Sequence, residues 1–127
     1  MALVHHLDHF VLTVKDIEAT CSFYSTVLEM EIIEFKGRKA LRYGNSKINL
    51  HAYGHEFLPK AATPTPGSAD LCFLTHMPLE RFCAHLKQHA IDILEGPIER
   101  TGAMSALLSV YFRDPDGNLI EVSNALN

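Results

Sequence analysis

The feature that most constrains this chain is a repeated order of secondary-structure elements. A strand, a helix and three strands are predicted at about residues 5–53 and again at about residues 69–124. The two halves share almost no identity, so the repeat lies in the element order alone. We therefore predict an α+β fold in a single domain spanning residues 1–127. Its two βαβββ modules would pair into a curved eight-stranded cup, within one chain or between two chains.

Hydrophobic periodicity defines the elements of the first module. A strand at Leu7–Val14 leads to a helix that Asp16 caps and that runs to about Leu28. The inner face of that helix has apolar residues at helical spacing: Ile17, Cys21, Tyr24 and Leu28. Three further strands are predicted at Met30–Phe35, Lys39–Tyr43 and Lys47–Tyr53.

The second module repeats the order after a linker at about residues 54–68, whose three prolines also suit a functional loop. Its helix runs from Pro78 to about Ala90, with an inner face of Leu79, Phe82, Cys83 and Leu86. Four strands are predicted, the second of them ended by Gly96–Pro97: Asp70–Thr75, Ile91–Glu95, Leu107–Arg113 and Asn118–Ser123.

Composition excludes several classes of function. The net charge is −4 and no run of Lys or Arg occurs, which argues against a nucleic-acid partner. No apolar stretch approaches the roughly 20 residues of a membrane helix, and the first residues lack signal-peptide features. The three cysteines (Cys21, Cys72 and Cys83) are interpreted as small buried hydrophobes, which predicts a reducing, cytoplasmic location.

Two motifs resemble a known family. Residues 113–122, RDPDGNLIEV, resemble the closing hairpin of the vicinal-oxygen-chelate superfamily, the glyoxalase, bleomycin-resistance and dioxygenase group. Residues 7–16, LDHFVLTVKD, with Phe23, Tyr24 and Leu28 after them, resemble its opening strand and helix. The stretches from Pro59 to Asp70 and from Gly96 to Ala103 look like the glyoxalase domain-containing protein 5 branch, whose bacterial relatives carry a virulence-associated label.

The resemblance implies metal ligands on four strands. His9 and Glu121 match the family pattern residue by residue. Asp70 stands where the family has His, and Asn49 stands where it has Glu. His51 lies two residues further and faces the same side, because strand side chains alternate. Either His51 replaces Asn49 as a ligand, or the site has fewer protein ligands, or it holds no metal.

The implied cofactor is a divalent ion such as Fe, Mn, Ni or Zn, since imidazole and carboxylate suit those metals. Such an ion would act as a Lewis acid on a small substrate that chelates it through two neighbouring oxygens, with Glu121 in a catalytic role. Ser109 and Tyr111 resemble substrate-side residues of fosfomycin-modifying relatives. The alternative interpretation is that Tyr111 packs in the wall of the cup with its hydroxyl hydrogen-bonded. Arg100, expected in a loop, either binds an anionic substrate or is a solvated charge.

Three functions compete on this basis. The first is a metal-dependent enzyme acting on a small molecule: a lyase, isomerase, dioxygenase or epoxide-opening transferase. The second is a metal-free binding or drug-sequestering protein of the bleomycin-resistance type, which Asn49 and Asp70 favour. The third is a regulatory or interaction protein that kept only the fold. In each case we predict a homodimer, since each module alone would leave one sheet face uncovered.

Overall fold

The computed structural model describes all residues, 1–127, and the chain divides into two compact units. Module one is Met1–Pro66 and module two is Gly67–Asn127. Each has one helix and one four-stranded sheet, which confirms the α+β βαβββ prediction. Neither helix is long and apolar enough to cross a membrane.

Module one contains β1 (His9–Val14), α1 (Ile17–Val27), β2 (Glu31–Phe35), β3 (Arg38–Tyr43) and β4 (Ser46–Ala52). Its sheet order is β1-β4-β3-β2, with β1 parallel to β4 and the other neighbours antiparallel. Asp16 caps α1 as predicted, because its Oδ1 accepts the backbone N–H of Ala19 at 3.1 Å. The core lies on the helix side of the sheet, where Tyr24, Leu41 and Ile48 are completely buried.

Module two contains β5 (Asp70–Leu74), α2 (Leu79–Gln88), β6 (Glu95–Thr101), β7 (Ala106–Arg113) and β8 (Leu119–Ala125). Its sheet order is β5-β8-β7-β6, the same topology as module one. Leu86, Val110, Phe112 and Ile120 form its fully buried core.

The start of α2 is held by a side chain from the last strand. Pro78 precedes the helix and offers no side-chain cap. Asn124 of β8 takes that role, since its Oδ1 accepts the backbone N–H of Leu79 at 2.8 Å. Its Nδ2 donates to the carbonyl oxygens of Thr75 and Met77, at 3.0 and 2.8 Å. The helix is thus fixed to a residue 45 positions further along the chain.

The parallel pairs of the two modules have the same register. His9 lies opposite Lys47, and Asn49 follows Lys47 by two residues. Asp70 lies opposite Leu119, and Glu121 follows Leu119 by two residues. His9 is therefore equivalent to Asp70, and Asn49 to Glu121. The internal repeat that the sequence predicts extends to individual residue positions.

The strand predicted at Ile91–Glu95 was placed too early. Strand β6 begins at Glu95, passes through Gly96 and Pro97 and ends at Thr101. The two breakers are tolerated because β6 is an edge strand and its pairing with β7 is irregular between Glu95 and Ile98. Gly96 has a φ of +108°, and a side chain there would clash with the Ser109 carbonyl oxygen.

The turn between β7 and β8 is closed by a buried pair of polar side chains. Asp114 accepts backbone N–H groups from Asp116 and Asn118 through Oδ1, and the Asn118 side-chain amide through Oδ2 at 2.8 Å. Asn118 is 1% exposed, and its Oδ1 accepts the Ala69 N–H at 2.8 Å. The Ala69 carbonyl accepts the Leu119 N–H in return, at 3.0 Å. This Asp114–Asn118 clasp fixes where β5 begins beside β8.

We predict that Asn118→Ala destabilises the chain by about 3 kcal/mol, because it removes the buried side-chain hydrogen bonds to Asp114 Oδ2 and from the Ala69 N–H. Urea unfolding followed by circular dichroism measures the change. Asn45→Ala, in the exposed β3–β4 turn, is the control and should unfold like the parent. An Asn118→Ala midpoint equal to that of the control would contradict the role of the clasp.

Candidate functional site

The predicted substrate and ligand residues of module two share one sheet face. Residues opposite one another in a sheet point to the same side, and the helix covers the side of Ile120 and Val122. The other side we call the open face of module two. Its side chains come from all four strands: Asp70, Cys72, Leu74, Glu95, Ile98, Arg100, Leu107, Ser109, Tyr111, Arg113, Leu119, Glu121 and Ser123.

A connected polar network lies in the middle of this face. Ser109 and Ser123 are completely buried, and their hydroxyl oxygens lie 2.7 Å apart. Ser123 also lies 3.4 Å from the Cys72 thiol, and its hydroxyl is 3.4 Å from Glu121 Oε2. Glu121 is directly opposite Tyr111 across β7 and β8. Two of the predicted residues, Ser109 and Glu121, are therefore linked through Ser123, which the sequence did not single out.

Cys72 does not match the prediction of a buried hydrophobe. It is exposed and lies beside Glu121 in the β5–β8 pair, while Cys21 is buried and Cys83 is partly buried. The thiol itself occupies a partly desolvated position at Ser123. That desolvation and the nearby Glu121 raise the pKa of the Cys72 thiol, whereas the Ser123 hydrogen bond lowers it. The apolar neighbours of Cys72 in the sequence belong to the opposite face of β5, which explains the wrong expectation.

Arg100 lies in a strand, which corrects its assignment to a loop. On β6 it is opposite Leu107 and shares the open face with Tyr111. Its Nε donates to the Tyr111 hydroxyl at 3.0 Å, and its Nη2 lies 3.1 Å from Glu95 Oε2. The contact with Tyr111 is the main cause that raises the pKa of Arg100. Its guanidinium is thus held in place and its charge is offset by Glu95.

The open face of module one carries the other predicted ligands. It is the side of the sheet opposite α1 and includes His9 and Thr13 of β1, Lys47, Asn49 and His51 of β4, Arg38, Ala40 and Arg42 of β3, and Ile33 and Phe35 of β2. Asn49 is offset from His9 by two residues, as Glu121 is from Asp70.

His9 is oriented by a neighbouring carboxylate that the sequence reading did not identify. Its Nδ1 lies 2.8 Å from Asp8 Oδ2, and this hydrogen bond lowers the pKa of Asp8. A ring that donates from Nδ1 keeps Nε2 available as a ligand, the arrangement in which an outer carboxylate supports a metal-binding histidine. About half of the His9 side chain, 46%, is exposed.

The strand register separates His51 from His9. Lys47 of β4 lies opposite His9 of β1, whereas His51 lies opposite Thr13. His51 is therefore four residues further along the sheet than His9. At about 3.3 Å per residue, that offset is about 13 Å along the strand, twice the offset of Asn49. The register therefore places Asn49 nearer to His9, and ligation by His51 stays a prediction.

His51 instead belongs to a stack of side chains at the end of β4. Its ring meets the Phe57 ring edge-on, with centroids 5.4 Å apart. The guanidinium carbon of Arg38 lies 3.6 Å from the centroid of the same Phe57 ring. Desolvation by burial lowers the pKa of His51 from its ordinary value of 6.5, so its imidazole is neutral at pH 7.

Glu56 organises the segment that carries Phe57. Its side chain is 4% exposed, and its Oε2 accepts the Gly54 backbone N–H at 2.9 Å. Oε1 lies 3.6 Å from the Lys60 ammonium. The backbone hydrogen bonds are the main cause that lowers the pKa of Glu56. The linker predicted at residues 54–68 thus begins with an ordered turn over one end of the open face.

Neither module by itself brings three or more His, Cys, Asp or Glu side chains together as a metal cluster. His85 and His89, at helical spacing on α2, have ring centroids 4.6 Å apart. We interpret them as part of the outer helix face, since the inner face consists of Leu79, Phe82 and Leu86.

Comparison with known proteins identifies the family. Residues 6–122 match the Glyoxalase/Bleomycin resistance protein/Dioxygenase superfamily. The chain therefore belongs to this superfamily, as its two motifs and repeated modules predict.

Two proteins of known name are more than half identical to this chain. Virulence protein STM3117 of Salmonella typhimurium strain LT2 is 53% identical over 122 residues, covering 95% of this chain and 85% of the relative. Its crystal structure matches with a TM-score of 0.96 and 52% identity, over 98% of this chain and 100% of that one. Glyoxalase domain-containing protein RDO1 of Mycosarcoma maydis is 52% identical over 122 residues, covering 95% of this chain and 69% of the relative.

More distant structures share the fold alone. A lactoylglutathione lyase from Agrobacterium tumefaciens matches with a TM-score of 0.73 and 21% identity, over 97% of this chain and 96% of that one. A mutant of the Listeria monocytogenes fosfomycin resistance protein FosX, complexed with Mn(II), matches with a TM-score of 0.67 and 20% identity. The match covers 95% of this chain and 90% of that one. The antibiotic-binding protein TnmS3 of Streptomyces has a TM-score of 0.78 and 19% identity, over 99% and 100%.

We predict that Glu56→Gln lowers the unfolding midpoint at pH 7, because glutamine keeps the acceptor oxygen but loses the charge that the hydrogen bonds stabilise. A carboxylate with a lowered pKa stabilises the fold fully above its ordinary pKa of 4.5 and loses that effect as pH falls through the folded value. The difference from the parent should therefore shrink below pH 4.5. Urea titrations at pH 7 and pH 3.5 measure it, with exposed Glu99→Gln as the control. A difference that is equal at both pH values would contradict this role.

Proposed function

We propose that this chain is a metal-dependent enzyme acting on a small substrate that chelates the ion through two neighbouring oxygens. The observation that carries the proposal is the hydrogen-bonded pair of Asp8 and His9 on the open face of module one. A metal-ligating histidine commonly donates its second ring nitrogen to a carboxylate, and the pair of Asp8 and His9 has that arrangement.

The donor set fits a divalent transition metal. His9 would supply an imidazole, and Glu121 and Asp70 would supply carboxylates; that they share one ion rests on the family resemblance. Imidazole and carboxylate together suit Fe, Mn, Ni and Zn. When bound, such an ion would polarise substrate oxygens as a Lewis acid. Asn49 gives the site a neutral amide where relatives have a charged ligand, which would leave room for water or substrate.

Glu121 would exchange protons with a bound substrate. Its Oε2 lies 3.4 Å from the Ser123 hydroxyl, and the carboxylate also neighbours the Cys72 thiol. Ser109 connects to the same hydroxyl, while Arg100 and Tyr111 form a fixed donor pair on the adjacent strands. These side chains would orient the substrate, and the carboxylate would act as general base or acid. The proteins of this fold include a lyase and a fosfomycin resistance protein, which is compatible with such chemistry.

The second candidate is a metal-free small-molecule binding protein. It is favoured by Asn49 and Asp70, which occupy two of the four ligand positions with residues unlike those of the family pattern. The antibiotic-binding TnmS3 shows that the fold serves this purpose elsewhere. The two candidates differ in one measurable property, which is the metal content of the purified protein.

We predict about one divalent ion per chain in protein purified without chelator or affinity tag. His9→Ala or Glu121→Ala should remove most of it, since open sites depend on few protein ligands. Asp8→Asn should weaken binding about tenfold through the loss of the orienting carboxylate. Binding should weaken below about pH 6, because only neutral imidazole ligates. Elemental analysis and competition with a chromophoric chelator provide the measurement.

His55→Ala and Glu99→Gln are the matched controls, because both are exposed and lie outside the proposed site. They should retain the ion. Parent protein without metal, or His9→Ala and Glu121→Ala variants that hold it as firmly as the parent, would refute the metal assignment and favour the binding protein.

We further propose that the protein works as a homodimer. The segment before β1 exposes large apolar side chains, with Leu3 103%, Val4 78% and Leu7 64% exposed, and such a patch is typical of an association surface. Sedimentation at micromolar concentration should give roughly twice the 14.2 kDa mass of one chain. The triple change of these three residues to Ser should lower that mass. A parent monomer at this concentration would contradict the proposal.

A further inference from the structure

We propose that the open face of module one binds a small organic anion with a flat apolar group, and that Arg38 and Lys47 select it. The inference rests on the proposed function, since the same face carries His9, and it names the class of substrate. It is drawn from a cavity on this face and from the charges that line it.

The cavity has a volume of about 210 Å³. An apolar cavity of roughly 150 Å³ accommodates benzene, so this one has room for an aromatic ring with a small substituent. Ile33 and Phe35 of β2 form an apolar wall. Arg38 and Lys47 also line the cavity, and no Asp or Glu does.

The cavity exists because a small residue stands at its floor. Ala40 of β3 lies opposite Asn49 of β4. The equivalent residue of module two is Tyr111, which lies opposite Glu121. A tyrosine fills the corresponding position there, whereas an alanine leaves it open in module one. The two open faces thus differ at the same point of a shared framework.

Two of the cations that line this cavity, Arg38 and Lys47, form no ion pair. The Arg38 side chain makes no hydrogen bond, and its guanidinium carbon lies 3.6 Å from the centroid of the Phe57 ring. A stacked guanidinium keeps its N–H edges free for bidentate contact with an anion.

Three other cations on strands of the two sheets form ion pairs. Lys39 lies 2.8 Å from Glu18, and Arg42 lies 2.8 Å from Glu31. Arg100 of module two is paired with Glu95. Arg38 and Lys47 differ from these three in forming no ion pair beside the cavity. Two unpaired positive charges beside an apolar wall are the chemistry that recognises an aromatic carboxylate, phosphate or phosphonate.

The remaining polar groups suit such a ligand. Asn49 and His51 line the cavity. Both can donate a hydrogen bond to an anion without adding a competing negative charge. Asp8 lies in an adjoining cavity of about 450 Å³ that shares Lys47 and Ile33, and it is engaged by His9. Glu56, whose charge acts on His51, is engaged by the Gly54 N–H and the Lys60 ammonium.

The test uses phenylphosphonate as a probe, with benzyl alcohol as its neutral counterpart. Isothermal titration calorimetry on EDTA-treated protein should show one phenylphosphonate per chain and no comparable binding of benzyl alcohol. Arg38→Met and Lys47→Met should each weaken the probe about tenfold, the effect expected for a charged hydrogen-bond partner. Ala40→Tyr, which copies the side chain of the equivalent position in module two, should abolish binding. Lys87→Met removes the same charge on the outer side of α2 and should bind like the parent.

Absence of phenylphosphonate binding to the parent would overturn the inference, as would equal binding of both compounds or unchanged affinity in Arg38→Met and Lys47→Met. These two variants change surface side chains, so circular dichroism can establish that they fold even where Ala40→Tyr does not. Because the titration is done without metal, a negative result leaves the metal analysis of the proposed enzyme unaffected. Conversely, a metal-free protein that binds the probe would retain this inference and lose the proposed reaction.

Discussion

The parallel pairing of the first and last strands in each module is the constraint on which the site depends. In module two that pairing is fixed by the buried Asp114–Asn118 clasp, which joins the β7–β8 turn to the backbone of Ala69. The clasp is made entirely of hydrogen bonds between groups that would be costly to bury alone. By fixing where β5 begins beside β8, it also fixes the two-residue offset between Asp70 and Glu121. Functional geometry and stability therefore rest on the same few atoms.

The two modules share one backbone framework but have different side chains on their open faces. In module two, the open face is filled by Tyr111 and Arg100 and contains a connected hydroxyl and carboxylate network. In module one, the equivalent position is Ala40, and Arg38 and Lys47, which line the cavity beside it, form no ion pair. Duplicated modules can diverge in this way at low cost, because core residues point to the helix side and open-face residues can change without disturbing them. The asymmetry gives one open face a hydroxyl and carboxylate network and the other a cavity lined by Arg38 and Lys47.

Element order, the cap of α1 and the positions of His9 and Glu121 on their strands could be predicted because each depends on local sequence. The cap of α1 follows from the single residue Asp16, and alternation along a strand assigns side chains to a face. The predictions that failed depended on pairing between distant segments. Gly96 and Pro97 usually end a strand, which is why the strand was predicted to stop there. Strand β6 is an edge strand and continues through both residues, so Arg100 lies in a strand. Alternation also left Asn49 and His51 as alternatives, since it assigns both to one face and cannot show how far each lies from His9 along the sheet.

The Asn124 side chain that holds the first turn of α2 has a consequence for the order of folding. A helix of ten residues that lacks its own cap is marginal as an isolated segment, and here its missing acceptor arrives with the last strand. Strand β8 must also pair with β5 across about fifty intervening residues, a slow closure compared with a local hairpin. The beginning of α2 and the end of β8 thus form one cooperative unit, whose amide protons should become protected from solvent exchange together. In module one, by contrast, α1 has its cap within its own first turn, and that helix has a local start from which its module can grow.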